Sequence, residues 1–144
     1  MELSTATLKE RILNAKNIDI YLDDNEENML DVTLSEYLNQ LLVQKDLKLP
    51  DVIRESGLVK SYVHQIFNGE RRPSRDKLIA LAFGMGINVE ETQRMLKLGG
   101  CSDLYARKKR DALILFNIQH GKSIDETDAE LYKRGLDTLL SRDG

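Results

Sequence analysis

Five polar residues in the segment 60–68 have a spacing that would place them on one side of a helix. They stand at i, i+1, i+4, i+5 and i+8, and they are Lys60, Ser61, His64, Gln65 and Asn68. Three apolar residues fall on the opposite side, namely Val63, Ile66 and Phe67. Lysine can donate to guanine or phosphate, glutamine can pair with adenine through two hydrogen bonds, and serine suits several partners. Such a face suits contact with nucleic-acid bases, although any solvated helix also turns polar residues outward.

A basic loop follows this segment directly. Residues 68–75 are NGERRPSR, and Arg71, Arg72 and Arg75 supply guanidinium groups that can neutralise phosphates. The whole chain has a net charge of -3, which is unfavourable for a nucleic-acid binder. The charge is uneven, however. Residues 1–33 hold three basic and eight acidic residues, a net of -5, whereas residues 45–77 hold eight basic and five acidic residues, a net of +3. Global acidity therefore does not exclude local nucleic-acid contact.

Nothing in the chain has the pattern of a catalytic, metal-binding or cofactor-binding site. The single cysteine, Cys101, and the two histidines, His64 and His120, are too few for an obvious zinc site. The chain also lacks a phosphate-binding glycine loop and a nucleophile spaced from a base. We therefore expect a protein that is not an enzyme and that uses no cofactor.

The distribution of apolar residues predicts a cytoplasmic protein. The longest apolar runs, LIALAF and ALILF, are much shorter than the roughly 18 residues needed to span a bilayer. No charged-then-apolar leader opens the chain, and one cysteine fits a reducing compartment. We expect no membrane contact.

Apolar residues recur at three and four positions throughout, which predicts an all-α fold. N-terminal helices are expected around Leu8, Ile12 and Ala15 and in the segment NIDIYLDDNEEN, which fades into an acidic loop. Five helices should follow, marked by caps and glycines. Their expected positions are a start at Thr33 with Glu36, a short helix from Pro50 to Gly57, a helix over 60–68, one from Ser74 to Gly86, and one from Asn88 to Gly99.

An internal repeat accounts for the C-terminal third of the chain. Residues 75–104 align without gaps with residues 110–139 at an offset of 35, and ten of the thirty positions are identical. Both copies contain a capping box, Asn88 with Glu91 and Ser123 with Glu126. Each copy is therefore expected to form one αα-hairpin, so that the second repeats helices four and five of the first.

The second copy differs on its first helix, where the apolar face is wider and rotated. Asn117 and His120 replace Ala82 and Met85, while Leu115 and Ile118 replace Ala80 and Phe83. Two causes remain open. The helix either packs between the main core and the N-terminal helix or a second subunit, or it is simply buried within the monomer.

Two short helices that meet at Gly57, followed by a loop and a two-helix brace, form a helix-turn-helix. The segment SGLVKSYVHQIFNGERRPSRDKLIALAFGMGINVEE resembles the phage-repressor and Cro type of this domain, the XRE family, over residues 34–98. The resemblance implies a five-helix DNA-binding domain, usually dimeric, that regulates transcription. By position it implies base contacts by Lys60, Ser61 and Gln65, flanking roles for Tyr62 and His64, and phosphate contacts by Asn68, Arg71 and Arg72. The order of the parts, with acidic N-terminal helices before this domain and a C-terminal hairpin after it, is also similar to helix-turn-helix proteins of Gram-positive bacteria.

Four residues depart from the family pattern and motivate a second hypothesis. Leu49 replaces a polar residue at the start of helix two, Ile53 replaces a small alanine, Val59 replaces a serine or threonine cap, and Phe67 replaces a glutamate. The larger apolar residues either extend the core or leave an apolar surface. In the second case the chain would be a helical protein-protein adaptor that reuses the scaffold without binding DNA.

These observations predict three parts. An acidic helical segment is expected over residues 1–31, a helix-turn-helix domain over 32–100, and a hairpin for packing or dimerisation over 101–144. The expected partners are double-stranded DNA and a second copy of the chain, with a protein partner possible at the N-terminal segment or the C-terminal hairpin. The expected location is the cytoplasm, at the bacterial nucleoid.

Overall fold

The computed structural model describes residues 3–24 and 32–140, and in these ranges the chain is helical without any strand. The all-α prediction is confirmed. The helices of the described ranges are α1 (Thr5–Asn14), α2 (Ile18–Asp24), α3 (Leu34–Gln44), α4 (Leu49–Ser56), α5 (Lys60–Phe67), α6 (Arg75–Met85), α7 (Val89–Leu98), α8 (Lys109–Gln119) and α9 (Ile124–Lys133). The predicted acidic loop falls largely on residues 25–31, which lie outside the described ranges.

The chain divides into two compact units, Met1–Asp31 and Val32–Gly144. In the first unit, Ser4 caps α1 by accepting from the Thr7 backbone N–H at 3.1 Å. Asn17 Oδ1 accepts from the Asp19 N–H at 2.8 Å at the start of α2. The Tyr21 hydroxyl donates to the Leu8 carbonyl at 3.4 Å and joins the two helices. No residue of α1 is buried, so the two helices have little core of their own.

The second unit has one continuous hydrophobic core, to which both residues 32–100 and the C-terminal hairpin contribute. The wholly buried side chains of this core come from α3 to α9 and from the segment that follows α9, and they include Leu38, Val63, Ile79, Leu81, Met95, Ile114, Leu131 and Leu139. The C-terminal hairpin therefore shares the core of residues 32–100 rather than standing apart as an appendage.

Helices α4 and α6 of this core are in close contact at Gly84. A Cβ on Gly84 would lie 2.6 Å from the Val52 carbonyl oxygen and 2.6 Å from the Ser56 Cβ. Real Cβ atoms do not approach other atoms so closely, so only glycine allows the two backbones to meet here. Ser56 is buried at this crossing, and its hydroxyl donates to the Ile53 carbonyl at 2.9 Å and accepts from the Leu58 N–H at 3.1 Å.

The helix starts follow the predicted caps. Ser74 accepts from the Lys77 N–H at the start of α6, and complete capping boxes open α7 and α9 at Asn88 and Ser123. At α3, Thr33 accepts from the Glu36 N–H at 3.2 Å, while its hydroxyl donates to the Glu36 carboxylate at 3.0 Å. Helix α3 therefore begins after the predicted cap Thr33. Its contacts differ from a full capping box, because the Glu36 carboxylate accepts from the Thr33 hydroxyl.

The internal repeat is observed as two hairpins, α6–α7 and α8–α9, which exchange ion pairs. Arg75 of the first hairpin contacts Asp111 of the second through two bonds of 2.9 and 3.3 Å. Arg110 of the second contacts Asp76 of the first through two bonds of 3.0 and 3.1 Å. Because equivalent residues exchange partners in both directions, the two hairpins are related by an approximate two-fold axis and not by a simple translation along the chain.

The remaining contacts of the two arginines follow the same symmetry. Arg75 also donates to the carbonyls of Ser102 and Asp103, and Arg110 to those of Asp137 and Thr138, which lie 35 residues further on. A matching pair of side chains closes each hairpin. Gln93 bonds the backbone of Leu104, and Asp128, its equivalent in the second copy, bonds the backbone N–H of Leu139 at 2.7 Å. Each arginine thus joins the end of its own hairpin to the start of the other.

Candidate nucleic-acid interface

The turn between α4 and α5 is held in place from the protein interior. Gly57 ends α4 with φ of 71°, a left-handed conformation that glycine adopts without strain. Leu58 is buried directly after it, and its N–H is bonded to the Ser56 hydroxyl. A Cβ on Gly57 would meet Leu140 Cδ1 at 2.6 Å, so the C-terminal segment packs against the turn. The start of α5 therefore has a position set by two other parts of the fold.

Helix α5 is oriented as the periodicity predicted. Val63, Ile66 and Phe67 are buried in the core. The Asn39 side chain of α3 donates to the Phe67 carbonyl at 2.9 Å and to the Ser35 carbonyl at 2.8 Å, and this ties the end of α5 to α3. The contact satisfies a carbonyl that the helix end leaves open. Asn39 carried no signal in the sequence, because its role depends on α3 crossing beside α5.

The polar side of α5 is open to solvent, and it joins the following loop. Lys60, Ser61 and Asn68 are exposed, and Tyr62, His64 and Gln65 are half-buried. The Arg71 Nε donates to the Gln65 Oε1 at 2.8 Å. Its guanidinium carbon lies 5.1 Å from the centroid of the Tyr62 ring. The structure therefore brings Tyr62, Gln65 and Arg71 into one cluster.

Lys77 also belongs to this cluster, although nothing in the sequence pattern pointed to it. It lies in the first turn of α6, and its Nζ is 6.0 Å from the Tyr62 ring centroid. The pattern of charges alone did not show that the first turn of α6 would reach the side of α5. Three basic residues thus lie on or beside the polar face, namely Lys60, Arg71 and Lys77.

The two remaining arginines of the loop have different positions. Arg72 is exposed, and its Nη2 lies 2.8 Å from the place that a Cβ of Gly100 would take, against the end of α7. Arg75 was expected beside the polar face, and that expectation is wrong. Its guanidinium makes four hydrogen bonds, two to Asp111 and one each to the carbonyls of Ser102 and Asp103, so most of its donors are used within the fold.

Two other basic residues of the segment 45–77 are held in ion pairs. Arg54 contacts Asp51 at 3.0 Å and Glu55 at 3.4 Å, and Lys45 contacts Glu91 at 3.1 Å. The Asp51 hydrogen bond and charge, followed by those of Glu55, raise the pKa of Arg54. No ion pair within residues 3–24 and 32–140 involves Lys60, Arg71 or Lys77 at the polar face, or Arg72 in the loop. The one acidic residue of the loop is the exposed Glu70.

Three of the four departures from the family pattern are explained by packing. Leu49 and Ile53 are half-buried against the core, and Phe67 is buried within it. They enlarge the core and do not form an apolar surface. Val59 is different, since 70% of it is exposed and it caps α5 without any side-chain hydrogen bond.

We expect Val59→Thr to raise the free energy of unfolding by about 1 kcal/mol, because a hydroxyl there can accept from an open N–H of α5. The backbone angles of Val59, φ -69° and ψ 137°, already suit a capping residue. Chemical denaturation measures the effect, with Val59→Ala as the control that removes the side chain without adding an acceptor. Equal stability of the Thr and Ala variants would show that the uncapped N–H groups cost nothing.

Comparisons of the chain with protein-family models, with curated proteins and with solved structures give no match. Within residues 3–24 and 32–140, no helix is both long and apolar enough to cross a bilayer. The same part of the chain contains no group of three or more His, Cys, Asp or Glu side chains arranged to hold a metal ion.

Proposed function

We propose that this chain is a sequence-specific DNA-binding transcriptional regulator of the XRE helix-turn-helix type, with α5 in the major groove. The observation that carries the proposal is the polar face of α5. Its apolar side is buried, and Asn39 ties its end to α3. Lys60, Arg71 and Lys77 lie on or beside its solvent side, and none of them has an ion pair in the described ranges. A short helix held in this way can enter a groove about 12 Å wide without rearrangement.

The residues of this face divide into two roles. Lys60, Ser61 and Gln65 contact base edges, with Tyr62 and His64 beside them. Three residues at the end of α5 and in the loop contact phosphates, and they are Asn68, Arg71 and Arg72. Phosphate contacts set affinity and register on the duplex, whereas base contacts set sequence preference.

The regulator acts as a homodimer on two half-sites about one helical turn apart. Its location is the cytoplasm, where it is bound to the nucleoid. The adaptor alternative has less support, because Leu49, Ile53 and Phe67, three of the residues that motivated it, pack into the core.

We expect Arg72→Ala to weaken binding to all duplex sequences and to lower the salt dependence of the affinity by about one unit of log–log slope. The reason is that one phosphate contact, and the counterions it releases, would be lost. Fluorescence anisotropy of labelled duplex DNA at several salt concentrations measures both quantities. Arg134→Ala is the matched control, because Arg134 is an exposed arginine on the end of α9.

Gln65→Ala should have a different signature in the same assay. It should reduce discrimination among sequences and leave the salt slope almost unchanged, because the amide contacts a base and carries no charge. If the wild-type protein shows no salt-sensitive binding to any duplex, the DNA-binding proposal is wrong. If binding occurs and Arg72→Ala behaves like Arg134→Ala, the assignment of Arg72 is wrong.

A further inference from the structure

The amide of Gln65 is held by a hydrogen bond from the loop that follows its helix. The Arg71 Nε donates to the Gln65 Oε1 at 2.8 Å. Arginine has donors and no acceptor, so the amide atom that faces it must be the oxygen and not the nitrogen. The Gln65 amide therefore has one defined orientation, in which its oxygen is bonded to a cation and both hydrogens of its Nε2 group are left to donate.

The loop that carries Arg71 is fixed to the fold on both sides of this residue. The Glu70 N–H, directly before it, donates to the backbone carbonyl of Gln65 at 2.9 Å. Gly69 turns the chain after α5 with φ of 76°, a left-handed conformation that suits glycine. Two residues after Arg71, Pro73 is buried. The backbone of Arg71 therefore has a position that is set relative to α5.

The Tyr62 ring gives the Arg71 side chain a second support. The guanidinium carbon lies 5.1 Å from the ring centroid, within the range of a cation–π contact. Tyr62 is half-buried and packs against the core, so the ring itself is held in place. An arginine with two supports is already ordered and loses little further freedom when DNA binds.

We propose that Arg71 is a positioning residue that makes Gln65 a hydrogen-bond donor to guanine, an inference that rests on the proposed DNA-binding function. A free glutamine amide pairs with adenine because its oxygen accepts from N6 while its nitrogen donates to N7. In this chain the oxygen is already bonded to a cation. That bond polarises the amide, which weakens the oxygen as a further acceptor and strengthens the Nε2–H groups as donors.

The edges of the bases decide which partner suits such a donor. In the major groove guanine presents two adjacent acceptors, N7 and O6. Adenine presents one acceptor beside a donor, thymine one acceptor beside a methyl group, and cytosine a donor. The two hydrogens of the Gln65 Nε2 group therefore match guanine best.

The same arrangement leaves Arg71 able to contact a phosphate. Its Nε is used by Gln65, whereas no hydrogen bond within residues 3–24 and 32–140 uses its two Nη groups. Phosphate, Arg71, Gln65 and base then form one chain of hydrogen bonds, in which each bond strengthens the next. Arg72, the next residue of the loop, is also exposed and has no hydrogen bond to Gln65. It is therefore the matched arginine for a test.

Binding of the full chain to a set of duplexes tests the inference. The preferred site is selected from randomised duplexes, and Gln65→Ala then identifies the base pair that Gln65 contacts. At that base pair the wild type should bind guanine about tenfold more tightly than adenine. Arg71→Met removes the donors and keeps an unbranched side chain. It should lower this ratio about fivefold or more, because the released amide can pair with adenine.

Arg72→Met is the control, since it removes the same charge from the same loop without touching Gln65. It should lower the affinity and the salt slope and leave the ratio of guanine to adenine unchanged. Circular dichroism melting should show that both arginine variants remain folded, because both side chains are exposed.

A double-mutant cycle shows whether Arg71 acts through Gln65. In the Gln65→Ala background, Arg71→Met should leave the ratio unchanged and still lower the salt slope. A change in the ratio without Gln65 would mean that the arginine itself contacts the base, and it would overturn the inference.

Three other results would also overturn the inference. They are a wild-type preference for adenine at that base pair, equal ratios for Arg71→Met and Arg72→Met, and a Gln65→Ala variant that keeps the wild-type preference at every base pair. In each of these cases DNA binding persists, so the proposed function stands. Absence of salt-sensitive binding to any duplex would instead refute the proposed function, and this inference with it.

Discussion

Replacement of Gly84 by alanine should lower the free energy of unfolding by about 2–3 kcal/mol. The added methyl group would lie 2.6 Å from the Val52 carbonyl oxygen and 2.6 Å from the Ser56 Cβ, inside the contact between α4 and α6. Neither neighbour is a flexible side-chain end, so the two helices must separate, and overpacking of this kind typically costs 1–3 kcal/mol. Alanine would gain about 1 kcal/mol in helix propensity, but this is smaller than the steric cost.

The matched control for this substitution is Gly86→Ala, two residues along the chain. Gly86 has φ of 63°, and no atom lies within 4 Å of a Cβ placed there. Its replacement should lower the free energy of unfolding by about 1 kcal/mol, because alanine is strained in the left-handed backbone conformation. Urea denaturation at neutral pH compares the two variants. A Gly84 variant as stable as the wild type would mean that α4 and α6 are further apart than described.

Asp111→Asn should lower the free energy of unfolding by about 3 kcal/mol near neutral pH. Only 3% of Asp111 is exposed, and it accepts two hydrogen bonds from Arg75 and one of 2.9 Å from the Tyr105 N–H. Asparagine would leave the Arg75 charge without its counter-charge in a largely buried place, which is the costly way to disrupt an ion pair. The start of α8 would lose its charged attachment to α6, whereas Arg75 would keep its bonds to the carbonyls of Ser102 and Asp103.

The same carboxylate should make stability depend on pH. Burial raises the pKa of Asp111, but hydrogen bonds from Arg75 and Tyr105 and the charges of Arg75 and Lys108 lower it by more, so the pKa lies below its ordinary value. A lowered pKa adds stability that is fully present above the unfolded pKa, about 4, and is lost as the pH falls through the folded value. Wild type should therefore lose stability below about pH 4 more steeply than Asp111→Asn, as urea denaturation at several pH values would show.

Asp76→Asn disrupts the symmetry-related ion pair and is the control for both effects. The side chain of Asp76 is 40% exposed, against 5% for Asp111, although both contact an arginine at about the same distance. Exposed pairs contribute about 0–1 kcal/mol, so this variant should be only slightly destabilised. If Asp76→Asn and Asp111→Asn lower the free energy of unfolding equally, burial does not decide the strength of these ion pairs.

The ion pairs also connect the candidate DNA-binding face with the C-terminal hairpin. Arg75 begins α6 directly after the loop that contains Arg71 and Arg72, and its partner Asp111 lies in the first turn of α8. Leu140, at the end of the second hairpin, packs against Gly57 in the turn before α5. Both ends of α5 are therefore supported by neighbours that themselves contact the second hairpin.

The sequence was sufficient to predict the local features of the fold. Serine or asparagine at Ser74, Asn88 and Ser123 predicted helix starts, because a cap depends only on residues within one turn. The periodicity of Val63, Ile66 and Phe67 predicted which side of α5 is buried, since a helix fixes the direction of each side chain. The repeat predicted the second hairpin, because two similar segments with capping boxes at equivalent positions form similar helices.

Only the tertiary structure decided how these elements meet. Arg75 was expected to contact phosphate, yet it contacts Asp111, which is 36 residues away. The sequence pattern assigned no role to Gly84, although it sets the distance between α4 and α6. Lys77 joined the polar face, and Phe116 remained exposed where its equivalent Leu81 is covered. Local hydrogen bonds and periodicity specify the helices, but the position of a long side chain depends on which distant surfaces the packing of the core places beside it.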